Sequence, residues 1–125
     1  MKKLYDNKLK PGIKLWLFSD DSRDSFGDGR WHLLESIKKT QSLKSACQLL
    51  GISYRKAWGD LKKAEQCLNV TLVTKSRGGS TRGRSNLTEE GKAWIEAYSK
   101  FHRHVEKASE TAYQKYLQKF ETITK

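Results

Sequence analysis

Gly51 stands between two amphipathic helical patterns, and that juxtaposition constrains the fold more than any other feature of the chain. Before it, Leu43, Ala46, Cys47 and Leu50 fall at i, i+3, i+4 and i+7, the spacing that gathers apolar side chains on one face of a helix. Ser42 is the residue type that caps such a helix at its start, and Gly51 the type that ends it. Ser53 then offers a second N-cap, after which Ala57, Leu61, Ala64 and Leu68 recur at i, i+4, i+7 and i+11. The stretch from Ser42 to Leu68 therefore reads as two helices, each with a buried stripe, joined by a sharp turn.

The opposite face of the second helix is basic. At about 100° per residue, Arg55, Lys56, Gly59, Lys62 and Lys63 project away from the apolar stripe, with Tyr54 and Trp58 along one flank. A short helix, a glycine turn and a second helix with exposed polar residues form the helix-turn-helix pattern, whose second helix enters the DNA major groove. An ordinary αα-hairpin with a solvated basic face fits this stretch too, so the surrounding chain decides. Its charge points the same way: 25 Lys and Arg against 14 Asp and Glu give a formal net charge of +11, and the natural partner of that excess is a polyanion. A length of 125 residues fits one domain with a modest core. No apolar run approaches the roughly 20 residues that span a bilayer, and Met1 to Asn7 is not followed by the apolar core of a signal peptide, so a cytoplasmic location without membrane contact is expected. Cys47 and Cys67 lie on or beside the apolar stripes and read as small hydrophobes; the chain has no Cys-x-x-Cys and no zinc pattern.

Towards the N-terminus, Ile13, Leu15 and Leu17 alternate with Lys14, Trp16 and Phe18, which predicts a strand from Gly12 to Phe18 with two apolar faces or a covered edge. Lys8, Lys10 and Lys14 around it are read as solvated. Ser19 to Gly29 reads as a polar loop. Its aspartates, Asp20, Asp21, Asp24 and Asp28, do not make a calcium loop: counted from Asp20, the glycine is missing at the sharp turn and Trp31 stands where the bidentate Glu belongs. Asp28 is instead read as the N-cap of a helix to about Thr40, whose Trp31, Leu33, Leu34 and Ile37 complete a trihelical core.

After Leu68, Thr71 to Lys75 and Arg84 to Thr88 read as the two strands of a hairpin with a Ser-Arg-Gly-Gly-Ser-Thr-Arg-Gly tip. Lys75, Arg77, Arg82 and Arg84 make this hairpin basic, suited to phosphates or a minor groove. One long helix follows from Thr88, its cap, to about Phe120, with Glu89 and Glu90 favoured by the helix dipole. Trp94, Tyr98, Phe101, Val105, Ala108 and Ala112 alternate spacings of four and three, a seam that drifts on to Tyr116 and Phe120. At 1.5 Å per residue such a helix runs about 45 Å, beyond what a domain of this size covers. Part of it packs on the core and the distal half is expected to dimerise, with intramolecular fold-back the alternative. His102 and His104, two apart, point to different sides and make a poor metal pair.

Taken together, Phe26-Gly-Asp-Gly-Arg, Leu33-Leu34, Ile37, Ser42-Leu43, Ala46, Leu50-Gly51-Ile52-Ser53-Tyr54-Arg55-Lys56-Ala57-Trp58, Leu72-Val73-Thr74, Gly78-Gly79, Leu87-Thr88 and Gly91 resemble the N-terminal winged-helix domain of ModE-type, molybdate-responsive regulators. The chain is more distantly similar to the DNA-binding domain of LysR-type regulators. The resemblance covers roughly Gly12 to Phe101, and its Ser-Tyr-x-x-Ala-Trp element is fairly specific. It implies that Ser53, Tyr54, Arg55 and the wing arginines approach DNA. Ser80, Thr81 and Arg82 interrupt the glycine run usual in that family's wing, and the chain leaves no room for the family's molybdate-binding domains, so molybdate sensing is not expected here.

The expected fold class is mainly α with a small β wing: a winged helix-turn-helix over residues 1–87, followed by a long C-terminal dimerisation helix over 88–125. The expected function is sequence-specific binding of duplex DNA to regulate transcription, as a homodimer, with the helix at about 53–68 in the major groove and the wing at 75–84 on backbone or minor groove. Ser53, Tyr54, Arg55, Lys56, Lys62, Lys63, Arg77, Arg82 and Arg84 are the expected DNA contacts, with Arg55 and Tyr54 at base edges. No cofactor or metal is called for, and a separate sensor protein remains open as a second partner. Two rivals are a protein-interaction or adaptor module using the same fold and a DNA binder without sequence preference. Neither Glu65, the histidines nor Cys67 forms a nucleophile and base set, and the glycines at 78 and 79 lead into a strand rather than a helix, so no enzyme is expected.

Overall fold

In a computed structural model, residues 9–20, 22–75 and 84–121 are described, with the backbone alone for 22–24. The chain divides into two compact units, one of Leu15–Tyr98 and one of Met1–Lys14 with Ser99–Lys125.

The first unit begins with an antiparallel hairpin, β1 (Trp16–Ser19) and β2 (Ser22–Gly27), in which Leu17 opposes Phe26 and Trp16 opposes Gly27. The expected alternation holds, since Leu15 and Leu17 are half-buried while Trp16 and Phe18 are exposed, at 62% and 70%. The strand thus has one packed face and one open face, not two packed ones. The segment expected as a polar loop instead supplies β2. Phe26 is its sole large apolar side chain, so no alternation announces the strand; backbone pairing with β1 and complete burial of Phe26 make it.

Three helices follow, α1 (Asp28–Thr40), α2 (Leu43–Leu50) and α3 (Tyr54–Leu68). The cap of α1 differs from expectation: Gly27 occupies the N-cap position without a side-chain bond, and Asp28 is the first helical residue. Its carboxylate turns outward from the helix axis to other partners, Oδ2 accepting from the Leu15 N–H at 3.2 Å and Oδ1 from the Tyr98 hydroxyl at 2.7 Å. The two helices around Gly51 are capped as expected, Ser42 accepting from the Ser45 N–H and Ser53 from the Lys56 N–H, each at 3.0 Å. Gly51 takes the left-handed conformation, φ +67°, and its N–H returns to the Cys47 carbonyl.

Leu33, Leu34 and Ile37 of α1, Leu43, Ala46 and Cys47 of α2, and Ala57, Leu61 and Ala64 of α3 are all buried and form one cluster with Phe26, Leu72, Leu87, Ile95 and Tyr98. Burial pushes the Cys47 thiol up from its ordinary range, in keeping with a cysteine that packs as a hydrophobe. Strands β3 (Val73–Lys75) and β4 (Ser85–Leu87) pair antiparallel, Val73 opposite Leu87. Then α4 runs from Glu89 to Tyr116, with Thr88 as its cap, Oγ1 accepting from the Gly91 N–H at 2.9 Å.

The start of α4 closes the core through aromatic rings. Phe26 meets Trp94 and Tyr98 edge-on, at centroid distances of 5.3 and 5.1 Å, and Trp31 lies 5.3 Å from Tyr98. Trp94 is partly buried and Tyr98 is 2% exposed. Two positions of the expected dimer seam thus pack against the domain's own core, Tyr98 almost wholly and Trp94 in part.

In the second unit, the α-helix ends at Tyr116, earlier than expected, and a short 3-10 turn spans Gln118–Phe120. Tyr113 is buried there, its hydroxyl donating to Glu121 Oε1 at 2.6 Å, and the Leu9 N–H reaches the same oxygen at 3.4 Å. Phe101, Ala108 and Ala112 are exposed and Val105 half-buried. No helix among the described residues is long and apolar enough to cross a membrane.

Candidate nucleic-acid interface

Ala57, Leu61 and Ala64 anchor α3 in the core, with Cys67 and Leu68 packed beside them, and the opposite side of the helix faces solvent. The Ser53 cap fixes where that surface begins. Tyr54, Arg55, Lys56, Lys62 and Lys63 are all exposed on it, as expected, and Ser53 is exposed while its hydroxyl caps the helix.

These cations are not equivalent. Lys56 Nζ lies 3.0 Å from Asp60 Oδ2, one turn on, and Arg30 Nη2 approaches Asp60 Oδ1 at 3.6 Å. Asp60 therefore neutralises part of the face, and Arg30 also donates to the Ser25 carbonyl. Lys62 lies 3.4 Å from Glu65 Oε1 and 4.6 Å from the Trp58 ring centroid. The lysine ends of these pairs are exposed, and such a pair holds an exposed lysine only weakly, about 0 to 1 kcal/mol, so a phosphate can take the place of the carboxylate.

Lys75 has a place that the sequence does not single out. At the end of β3, it lies over the rings of Tyr54, at 5.2 Å, and Trp58, at 4.9 Å, and donates to the Tyr54 hydroxyl. Tyr54 and Trp58 are a turn apart at 46% and 39% exposure, so two aromatic rings and two lysines share one flank of α3. The signal in the sequence is the pair of aromatics at i and i+4 along one flank of the apolar stripe.

Glu65 ties the root of the hairpin to this helix. Its Oε2 accepts from the N–H groups of Leu72, at 2.7 Å, and Val73, at 3.3 Å. Asn69, in the left-handed conformation at φ +56°, ends α3 and turns the chain into β3. Arg84, just before β4, is exposed. Arg77, Arg82 and the glycines of the wing tip lie outside the described residues, as do Lys8 and Asp21. Among the described residues, no group of three His, Cys, Asp or Glu side chains is placed to hold a metal ion.

No family model matches the chain. MopB of Rhodobacter capsulatus, a molybdenum-pterin-binding protein, is 35% identical over 72 residues, covering 58% of this chain and 27% of that protein. The transcriptional regulator ModE of Yersinia pestis is 32% identical over 79 residues, covering 63% of this chain and 30% of that protein. This chain thus spans less than a third of the length of these relatives. Among solved structures, the DNA-binding domain of CbnR, a LysR-family transcriptional regulator, crystallised with DNA, is similar with a TM-score of 0.57 at 15% identity, covering 67% of this chain and 91% of that domain. The likeness establishes the fold as a winged helix-turn-helix, mainly α with a small β wing and a long C-terminal helix, and the similarity to ModE-type and LysR-type proteins agrees with the resemblance seen in the sequence motifs.

Proposed function

We propose that this chain is a transcriptional regulator that binds duplex DNA sequence-specifically, with α3 in the major groove and the hairpin of β3 and β4 on backbone or minor groove. The observation that carries the reading is the capped, core-anchored α3, whose open face presents Tyr54, Arg55, Lys56, Lys62 and Lys63 beside Lys75. Arg55 has the guanidinium fork that pairs with guanine O6 and N7, and the lysines suit phosphate. Ser53 positions the first turn, and Arg77, Arg82 and Arg84 extend the contact along the wing. The regulator of Yersinia pestis and the DNA complex of the CbnR domain support this reading at the level of relatives and fold.

In the same reading, residues 1–87 serve DNA and 88–125 serve assembly, as a homodimer in the cytoplasm. Phe101, Val105, Ala108 and Ala112 then form the dimer seam, without Trp94 and Tyr98. Catalysis has no part in it.

The test is retention of random genomic duplex fragments by the chain at two salt concentrations, followed by sequencing, with Arg55→Ala in parallel. One enriched motif that Arg55→Ala relaxes is the expected result. Uniform retention that salt abolishes would reduce the protein to a non-specific binder, and no retention would favour an adaptor that recognises protein, whose apolar contacts respond little to salt.

A further inference from the structure

Resting on that proposal, the geometry points to Trp58, with Tyr54 a turn before it, as the reader of thymine 5-methyl groups in the major groove, flanked by Lys62 and Lys75 on the adjoining phosphates.

Trp58 lies outside the buried core and keeps 39% of its surface exposed on the flank of the basic face of α3, a large apolar surface open to a partner. Lys62 from the same helix and Lys75 from the hairpin approach its ring at 4.6 and 4.9 Å. Such cation contacts restrict the ring before any ligand arrives. The Tyr54 hydroxyl accepts from Lys75, which also lies 5.2 Å from its ring centroid, so both rings share one cation.

The flank is therefore apolar at its centre and cationic at its rim. Its complement needs an apolar group bordered by anions. In the major groove the base edges carry one apolar group, the C5-methyl of thymine, and phosphates border it on both sides. Arg55 lies on the neighbouring strip of the same helix, so hydrogen-bond readout of guanine and apolar readout of thymine would proceed from one face. The assignment adds a residue and a base to those in the proposed function.

The experiment replaces each thymine of the selected duplex in turn with deoxyuridine, which keeps the base pair and removes only the methyl, and measures affinity by fluorescence anisotropy. At one or two positions per half-site, affinity is expected to fall about fourfold, the effect of one buried methyl. Trp58→Ala is expected to bind thymine and deoxyuridine duplexes alike while keeping its salt dependence, and Trp58→Phe to retain part of the discrimination. Wild-type chain that selects a duplex yet binds it equally with either base would overturn this inference and leave the DNA-binding reading standing. Failure to select any duplex would overturn both. Tighter binding to the single strand than to the duplex would overturn it too, assigning the rings to stacking on unpaired bases.

Discussion

The Tyr98 hydroxyl donates to Asp28 Oδ1 at 2.7 Å and approaches the Leu15 carbonyl oxygen at 3.3 Å, so one phenol joins α4 to the start of α1 and to the N-terminal hairpin. Burial, that hydrogen bond and the nearby carboxylate all raise the Tyr98 pKa above its ordinary 10.0. A raised folded-state pKa contributes stability that is complete below the unfolded value and is lost as pH rises through the folded one. Stability is accordingly expected to decline above about pH 10. Urea unfolding of wild type and Tyr98→Phe checks this: the variant loses about 1 to 3 kcal/mol at neutral pH and shows a shallower alkaline decline.

Glu65 holds two backbone N–H groups that have moved past the end of its own helix, those of Leu72 and Val73. Glu65→Ala should destabilise the chain by about 2 kcal/mol, and Glu65→Gln, which keeps one acceptor oxygen, by less. Hydrogen exchange at the Leu72 and Val73 amides separates this local loss from a general one; it should accelerate most in the alanine variant.

Two helical glycines predict opposite signs. A Cβ at Gly59 meets nothing within 4 Å, so Gly59→Ala should gain about 1 kcal/mol of stability from helix propensity. A Cβ at Gly91 falls 2.5 Å from the Leu72 carbonyl oxygen, so Gly91→Ala should cost about 1 to 3 kcal/mol. Thermal melts of the two variants read both. If Gly59→Ala also weakens DNA binding, α3 approaches the duplex closely at that turn.

Asp60 pairs with Lys56 and Arg30, and in the proposed function it competes with phosphate for both. In Asp60→Asn, affinity for duplex DNA should rise, and the slope of log K against log salt should steepen by about one per phosphate gained. Titrations across a salt series test it; an unchanged slope would mean that neither cation reaches phosphate.

The proposed dimer seam predicts that Phe101→Glu shifts the chain towards monomer in sedimentation equilibrium, without loss of helix by circular dichroism. Phe101 is 42% exposed, so the substitution leaves the domain core intact. A wild-type monomer at micromolar concentration would remove the seam from the account.

Much of this was legible because local chemistry and tertiary structure agree. Ser42, Gly51, Ser53 and Thr88 act on their own neighbours, and the stripes of α2 and α3 bury the residues their spacing selects, except that the last of each, Leu50 and Leu68, is covered only in part. What the sequence did not disclose depends on partners far along the chain. Asp28 has the composition of an N-cap but is drawn to Leu15 and Tyr98, and β2 exists because β1 pairs with it. Trp94 and Tyr98 fit a heptad seam equally well whether the facing surface is a second helix or Phe26; only the fold shows that it is Phe26. Lys75 was visible as one basic residue among several, and its place over Tyr54 and Trp58 requires the turn at Asn69.

The aromatic closure also sets an order of events during synthesis. Phe26 leaves the ribosome long before Trp94 and Tyr98, and the bond between Asp28 and Tyr98 spans 70 residues. The helices around Gly51 can form from nearby residues, whereas the N-terminal hairpin has no ring to dock against until α4 emerges. A nascent chain that stalls at the wing therefore lacks the two rings that meet Phe26 edge-on, and the first turns of α4 are the segment that supplies them.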